Sequence, residues 1–310
     1  MILRFMVAPP LVSECTTAIC QRTAVIVGRT IKRDKTLLVS PMDQPTNSLE
    51  RALKLLELVA HRPDGYSNGE LSRKLGIPSS SCSYVLARLT REHYLSRSSN
   101  GKYTIGLKTL ILSHAALRRM GFRPFAEPVL YRLVEETHLA ANIGVLEGGR
   151  VLLVDRVEPP ESVTAGIQLP RELRDIGIDL PAHTTGLGKA LLAGLDERQL
   201  QAVIEKEGLN RKTPRTIISA TALLAEIELI RLNGYATARD EHYIGFWSLA
   251  VPITGADGIT RAAVSLTGNP EQSAWRDPEA LAARLSNAAR EISRNMRTRE
   301  IEFSNARRAG

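Results

Sequence analysis

Cysteines, aromatic residues and long apolar runs are all scarce in this chain of 310 residues. The cysteines, Cys15, Cys20 and Cys82, give neither an even disulfide framework nor a Cys-x-x-Cys pair for zinc, so a reducing, cytoplasmic compartment is expected. The six histidines show no spacing typical of metal ligands. No apolar run approaches the ~18 residues of a membrane-spanning helix. A disulfide-rich secreted protein and a membrane-embedded protein are therefore excluded, and no metal or other cofactor is predicted.

Positive charge is abundant instead, and it is concentrated in one region. The chain carries a formal net charge of +8, and residues 47–120 hold 12 Lys and Arg against 5 Asp and Glu. Residues 121–310 hold 23 Lys and Arg against 25 Asp and Glu, so that part is close to neutral. A basic region favours a polyanion such as DNA, because binding releases condensed counterions.

The first two helices of the basic region are predicted from capping residues and apolar spacing. Asn68 can cap a helix that ends at Leu75, where Gly76-Ile77-Pro78 breaks the pattern. Ser48 is a plausible N-cap for an earlier helix. On this helix Leu49, Leu53, Leu56 and Ala60 recur on one apolar face, supported by Leu55, Leu58 and Val59.

A third helix and a hairpin follow directly. The helix is predicted over residues 79–91, because Cys82, Val85, Leu86 and Leu89 form one apolar stripe. Asn100-Gly101, between two short β-prone runs, predicts the hairpin. Helix, turn, helix and hairpin in this order indicate a winged helix-turn-helix. On the apolar stripe, Cys82 is expected to be a small buried hydrophobe and not a reactive thiol.

The side of the third helix opposite the apolar stripe is polar. Ser80, Tyr84 and Arg88 offer hydroxyl and guanidinium groups there, which suit phosphate oxygens and base edges. Together with the preceding helix and the hairpin, the predicted DNA-binding residues are Arg73, Lys74, Ser79, Ser80, Ser81, Ser83, Tyr84, Arg88, Arg97 and Lys102.

Composition and periodicity divide the chain into four predicted segments. Residues 1–46 are either a disordered basic arm or a mis-annotated extension, with translation then starting at Met42. Residues 47–106 form the winged helix-turn-helix domain, and residues 107–121 form a linker helix. Residues 122–303 alternate helices and strands in an α+β pattern, with Val163–Ile167 among the predicted strands.

Five motifs, in order and in register, resemble the IclR family of bacterial transcription regulators. They are Ser48 to Leu53 (SLERAL), Leu75 to Pro78 (LGIP), Leu180 to Ala193 (LPAHTTGLGKALLA), Thr213 to Ile217 (TPRTI) and Asn233 to Ala236 (NGYA). The resemblance covers roughly residues 47–300. It implies a winged helix, a linker helix used in dimerisation and a C-terminal GAF-like α/β effector-binding domain with an antiparallel sheet.

The resemblance also implies how such a protein works. Family members are homodimers or homotetramers that repress or activate operons by binding a double-stranded DNA operator, and they respond to small, often carboxylated or aromatic, metabolites. They are not enzymes and need no cofactor. By similarity, the residues that line the effector cavity are Gly186, Leu187, Phe246, Ser248, Ser265 and Thr267.

Three further effector contacts are predicted from the residues themselves. A helix that starts near Gly186 presents free N–H groups and the positive end of its dipole, which together favour an anion. Thr184 and Thr185 add hydroxyl groups, although they can equally serve as helix caps. Arg239 can add a charge-assisted contact, or it can simply face solvent.

A metabolic enzyme with a catalytic C-terminal domain and an accessory winged helix is the alternative. The chain has no Gly-x-Ser-x-Gly motif, and a phosphate-binding loop ending at Lys189 would need glycine where His183 stands. We therefore predict no catalytic residue, and for His183 a structural or ligand-orienting role.

Overall fold

The structure is a computed structural model that describes residues 47–160 and 176–308, with side chains described as far as residue 296. The predicted N-terminal extension, residues 1–46, and the predicted strand Val163–Ile167 lie outside the described residues. The described chain divides between Thr109 and Leu110 into two compact units. We call them the N-terminal unit and the C-terminal unit.

The N-terminal unit contains three helices followed by a two-stranded hairpin. Gly76 ends the second helix with φ of 64°, a backbone conformation that favours glycine. Leu55, Leu71 and Leu86, one from each helix, are fully buried together. The elements are α1 (Ser48–Ala60), α2 (Asn68–Leu75), α3 (Ser79–Arg91), β1 (Leu95–Arg97) and β2 (Tyr103–Ile105), and they confirm the predicted winged helix-turn-helix.

Both predicted N-caps of this unit were wrong by one residue. Asn47, not Ser48, caps α1, because its side chain accepts a hydrogen bond from the amide of Glu50 at 2.9 Å. Ser67, not Asn68, caps α2 in a reciprocal capping box with Glu70. In both cases the predicted residue is the first of the helix itself.

On α1 the supporting apolar residues, and not the main predicted face, carry the burial. Leu49 and Leu53 are 68% and 52% exposed, whereas Leu55 and Val59 are buried. The leucine-rich helix offers two overlapping apolar faces, and α1 packs on α3 with the second of them. Leu49 and Leu53 are therefore left on the surface of the unit.

The C-terminal unit contains a six-stranded antiparallel sheet with the strand order β5-β4-β3-β8-β7-β6. Its strands are β3 (Ala140–Glu147), β4 (Arg150–Val157), β5 (Asp179–Pro181), β6 (Ala236–Arg239), β7 (Trp247–Thr254) and β8 (Thr260–Gly268). Its helices are α5 (Arg123–Thr137), α6 (Gly186–Ala193), α7 (Glu197–Glu207), α8 (Ala220–Asn233) and α9 (Pro278–Arg308). A helix that crosses the division of the chain, α4 (Lys108–Arg119), connects the two units.

Each face of the sheet has its own apolar core. Ile143, Val264 and Val251, on neighbouring strands, point to the face that α5 and α9 cover. Ala250 and Ala263 point to the opposite face and pack with α6, α7 and α8. Because side chains alternate along a strand, the residues next to Ile143 and Val264 belong to this second face, where the candidate site lies.

Candidate functional site

The polar side of α3 is exposed, as predicted. Ser80 and Ser83 are exposed, and Tyr84 is 60% exposed. Nη2 of Arg88 donates a 2.7 Å hydrogen bond to the hydroxyl of Tyr84, and the guanidinium lies 5.1 Å from the centre of the tyrosine ring. The two side chains therefore form one preorganised polar group on the surface of the helix.

Among the other predicted DNA-binding residues, Ser79, Arg73 and Lys74 contact neighbours within the N-terminal unit. The Oγ atom of Ser79 accepts a 2.9 Å hydrogen bond from Asn68, and Ser81 is only half-buried. Nε of Arg73 donates to the carbonyl of Gly69, and Nζ of Lys74 lies 5.7 Å from the centre of the Tyr66 ring. On the hairpin, Arg97 is exposed and Lys102 is half-buried.

Cys82, on the opposite side of α3, is fully buried. Burial raises the pKa of its thiol to about 11, so the thiol stays protonated at neutral pH. This confirms the prediction of a small buried hydrophobe.

The C-terminal unit contains an open-mouthed cavity, with about 590 Å³ of space when the solvent at its mouth is included. Its floor is the face of the sheet that α6 meets. The antiparallel register brings polar residues into two cross-strand pairs there, Asn142 opposite Ser265 and Ser248 opposite Thr267. A polar floor under mainly apolar walls is the arrangement that orients a small ligand.

Arg156 supplies a cation to the cavity wall. It lies opposite Asn142 in the register, and its side chain is only 6% exposed. Nη1 donates to Oδ1 of Asn142 at 2.6 Å, and Nε donates to Glu158 at 2.8 Å. Nη2 also lies 2.7 Å from the carboxylate of Glu158, so the buried charge is already paired within the unit.

The start of α6 borders the cavity but is already engaged in hydrogen bonds. The amide of Gly186 donates to Oγ of Ser248 at 3.1 Å, and the amide of Gly188 donates to Oγ1 of Thr185 at 3.0 Å. Thr185 is therefore the helix cap. Two of the N–H groups at which an anion site was predicted are therefore engaged within the unit, and Arg156, which is paired with Glu158, is a second group near the cavity that can donate to an anion.

A loop of residues 240–246, which we call the cover loop, closes one side of the cavity. Its ends meet where the amide of Asp240 donates to the carbonyl of Phe246 at 3.0 Å. Oδ1 of Asp240 also accepts from the amide of Gly245 at 2.8 Å. Glu241, His242, Tyr243 and Phe246 of this loop line the cavity.

Lys189 of α6 holds the cover loop to two helices. The lysine is fully buried, and its Nζ lies 2.9 Å from carboxylate oxygens of both Glu226 on α8 and Glu241. Burial raises the pKa of Glu241, although the Coulombic effect of Lys189 opposes the rise. Removing Lys189 would leave two carboxylates without their shared cation, so this group fastens α6, α8 and the loop together.

Two histidines lie in this part of the unit, and both favour the neutral form. Burial lowers the pKa of His242 to about 4, and its Nδ1 lies 2.8 Å from Oγ1 of Thr184. Burial also lowers the pKa of His183, whose Nε2 donates to the carbonyl of Asn210 at 3.2 Å. His183 does not line the cavity, and its contact favours the structural one of the two roles that we predicted for it, structural or ligand-orienting.

Most of the predicted effector residues come together in the cavity. Arg239 does not line it; the side chain is exposed and its guanidinium lies 4.8 Å from the centre of a Trp247 ring. Gly186 is not itself in the lining but contacts Ser248, which is. The predicted residues that do line it are Thr184, Thr185, Leu187, Phe246, Ser248, Ser265 and Thr267.

Sequence reasoning missed Asn142, Arg156, Glu241 and His242, which also line the cavity. A signal for the first two was present, because polar residues interrupt otherwise apolar strands at these positions. Their neighbours across the sheet could not be known without the register.

Neither a metal site nor a membrane segment is found in the described part of the chain. Among those residues no group of three or more His, Cys, Asp or Glu side chains could hold a metal ion. None of the helices described is long and apolar enough to cross a bilayer.

Family models match both units of the chain. A model for the IclR helix-turn-helix domain matches residues 48–99, and a model for the bacterial transcriptional regulator IclR C-terminal domain matches residues 114–294. Together they span most of the described residues.

Individual proteins and structures agree with these matches. The chain is 30% identical over 221 residues to the HTH-type transcriptional regulator XynR of Escherichia coli K12, covering 71% of this chain and 85% of XynR. The structure of Thermotoga maritima IclR is similar with a TM-score of 0.62 and 26% identity, covering 81% of this chain and 99% of that one. The inducer-binding domain of Acinetobacter PobR, a double mutant in complex with 3-hydroxybenzoic acid, is similar with a TM-score of 0.50 and 30% identity, covering 55% of this chain and 96% of that one.

Proposed function

This chain belongs to the IclR family of bacterial transcriptional regulators, and on that premise we propose how it binds its operator and what it senses. It is a DNA-binding regulator and not an enzyme, so the alternative of a catalytic C-terminal domain is set aside. In the proposal, α3 enters the major groove and the hairpin contacts the flanking backbone. A small carboxylated or aromatic metabolite binds in the cavity and changes operator affinity in the cytoplasm.

The exposed pair Tyr84 and Arg88 carries the proposal for DNA. The pair lies on the polar side of α3, in a region of 12 basic against 5 acidic residues. A guanidinium presented in this way can bind guanine O6 and N7 together. Ser80 and Ser83, on the same side, can bind phosphate oxygens.

A mobility-shift assay with DNA from the gene's own upstream region tests this part. Arg88→Ala is expected to weaken binding by about 1–3 kcal/mol and to relax preference at one base position. Arg261→Ala, which removes an exposed arginine of β8, is the control with the same change in charge. If Arg88→Ala binds as tightly as this control, α3 does not read the operator as proposed.

Arg156 and the polar floor carry the proposal for the effector. Arg156, which is ion-paired with Glu158, lines the cavity together with Asn142, Ser265 and Thr267, and these polar groups suit a carboxylate. Leu153, Leu180 and Phe246 suit an apolar or aromatic body. The complex of the PobR domain with 3-hydroxybenzoic acid supports this chemical class. We therefore propose an aromatic or similarly compact monocarboxylate and choose 3-hydroxybenzoate as the first probe.

A second copy of the chain is the proposed partner. Leu110, Ile111 and Leu112 on α4 are between 57% and 69% exposed, and Leu49 and Leu53 on α1 are also exposed. Apolar surface of this kind is typical of interfaces between subunits. Sedimentation is expected to give a dimer or a tetramer, and Ile111→Glu is expected to shift the population toward monomer. A wild-type monomer at micromolar concentration would contradict this part.

A further inference from the structure

The turn of residues 211–217 includes the Thr213 to Ile217 motif. It lies in the C-terminal unit between α7 and α8 and does not line the cavity. Two of its side chains, Thr213 and Thr216, are nevertheless buried, with 6% and 5% exposure. Buried hydroxyl groups need hydrogen-bond partners, so their partners indicate what the turn does.

Both hydroxyl groups donate to the cover loop. Oγ1 of Thr213 donates to the carbonyl of Asp240 at 2.6 Å, and Oγ1 of Thr216 donates to the carbonyl of Glu241 at 2.7 Å. These two carbonyls stand at the point where the loop leaves β6, directly before His242. Each threonine therefore fixes one peptide unit at the base of the loop.

The same oxygens also organise the turn itself. Oγ1 of Thr216 accepts from the amides of Lys212 and Thr213 at 3.0 and 2.8 Å, and Oγ1 of Thr213 accepts from the amide of Arg215 at 3.1 Å. Each hydroxyl thus uses its single proton on the loop and its lone pairs on the turn. Turn and loop are joined by a network that a valine in either position cannot form.

The cover loop needs such support because its backbone is strained at its base. Asp240 has φ of 60°, which is uncommon for a residue other than glycine. Such a conformation persists only where its surroundings hold it in place. Three groups of Asp240 make hydrogen bonds that stabilise this conformation: its carbonyl accepts from Thr213, its amide donates to Phe246, and its carboxylate accepts from Gly245.

We propose that Thr213 and Thr216 are positioning residues for the effector site, acting through the backbone of the cover loop. They touch no ligand. They fix the loop that presents Glu241, His242 and Phe246 to the cavity, so the site is preorganised before the effector arrives. The effect of these threonines on effector binding rests on the proposed function, whereas their effect on the backbone of the cover loop does not.

Hydrogen exchange of the full-length protein without ligand tests the hold directly. In the double variant Thr213→Val/Thr216→Val, the amides of Asp240, Gly245 and Phe246 are expected to exchange on the order of tenfold faster, as the loss of buried hydrogen bonds implies. Thr213→Ser/Thr216→Ser keeps both hydroxyl groups and is expected to restore wild-type exchange. Ser219→Ala, which removes the neighbouring cap of α8, is the control for general loosening.

Two outcomes would overturn the proposal. One is wild-type exchange in the cover loop of the valine variant, and the other is faster exchange spread evenly over the whole C-terminal unit.

Titration with 3-hydroxybenzoate, followed by Trp247 fluorescence in a Trp275→Phe background, then separates the two proposals. If the wild type does not bind the probe, the effector class is wrong while the exchange result still decides the role of the threonines. If it binds, weaker binding in the valine variant and recovery in the serine variant are expected, and equal binding in both would refute the link to sensing.

Discussion

A methyl group added at Gly188 tests the geometry of α6 more sharply than any other single change. A Cβ atom there would lie 2.1 Å from the carbonyl oxygen of Ala182 and 2.4 Å from its Cα atom. Both are backbone atoms of the 3-10 turn Ala182–Thr184, so no side-chain rotation can relieve the contact. We therefore expect Gly188→Ala to force α6 away from this turn.

The expected cost follows from the size of the movement. A carbon–oxygen contact needs more than 3 Å, so the helix and the turn must separate by about 1 Å in a close-packed core. Overpacking of this kind costs typically about 1–3 kcal/mol, and we expect the upper end because only backbone can move. Each kcal/mol lowers the Tm of a unit of this size by roughly 2–4 °C, which gives a fall of roughly 6–12 °C.

Gly186 provides the matched comparison two residues away. A Cβ atom there would lie 2.7 Å from Oγ of Ser248, a side-chain atom that can rotate away. Gly186→Ala then loses the hydrogen bond from its amide to Ser248, which costs about 1 kcal/mol or roughly 2–4 °C. Ser248→Ala loses the same bond, so the double variant is expected to cost about as much as either single one. The bulkier Gly186→Val is expected to abolish the ligand response while leaving operator affinity unchanged.

Tryptophan fluorescence is the appropriate assay, because both tryptophans of the chain, Trp247 and Trp275, belong to the C-terminal unit. Thermal unfolding of the full-length variants therefore reports on this unit. A Gly188→Ala protein that melts within about 2 °C of the wild type would refute the contact of α6 with Ala182. Strict additivity of Gly186→Ala and Ser248→Ala would refute the shared hydrogen bond.

Two further predictions concern the cavity and the N-terminal unit. Arg156→Lys keeps the charge but not the paired donors of the guanidinium, so we expect it to bind 3-hydroxybenzoate on the order of tenfold more weakly than the wild type. Arg156→Gln, which also loses the charge, is expected to bind more weakly still. Equal affinities of all three proteins in a fluorescence titration would show that Arg156 does not contact the ligand. Hydrogen bonds from the backbone and side chain of Ser67 lower the pKa of Glu70 from 4.5 to about 2. The contribution of the Glu70 carboxylate to stability is therefore complete above pH 4.5 and is lost as the pH falls toward 2. By hydrogen exchange of the α2 amides, we expect Glu70→Gln to be about 1 kcal/mol less stable than the wild type at pH 7 and equally stable near pH 2. A difference between the two proteins that stays constant with pH would contradict the capping box.

Local patterns in the sequence predicted most helices and strands of the fold, but not the short edge strand β5. The bounds of α3 agree residue for residue with the prediction, because apolar periodicity and the punctuating residue Pro78 coincide there. The errors in the N-terminal unit have a local cause as well. Adjacent capping candidates, such as Ser67 and Asn68, differ only in which side chain reaches the amide three residues on. Leu49 and Leu53 were misplaced because two apolar faces of α1 overlap.

The candidate site was less accessible to sequence reasoning because it depends on pairing between distant strands. Ser265 and Thr267 were predicted through the family resemblance, whereas Asn142 and Arg156 were not predicted. Only the register of β4, β3 and β8 brings Arg156 beside Asn142 and Asn142 beside Ser265. The same limit applies to Lys189, whose partners Glu226 and Glu241 lie 37 and 52 residues away along the chain. Burial of a lysine has no local signature when both of its partners come from other elements.

The cavity is built from two parts that we expect to affect ligand binding differently. The floor consists of side chains on paired strands, so a change at Arg156 or Ser265 alters which chemical groups a ligand can satisfy without moving the backbone. The cover loop is instead held from outside the cavity, by Thr213, Thr216 and Lys189. We expect that loosening these contacts would leave fewer molecules with a fully formed site and would therefore weaken the binding of every ligand by a similar factor. Specificity and affinity are therefore expected to depend on different residues, and a ligand series measured against floor and turn variants would reveal that difference.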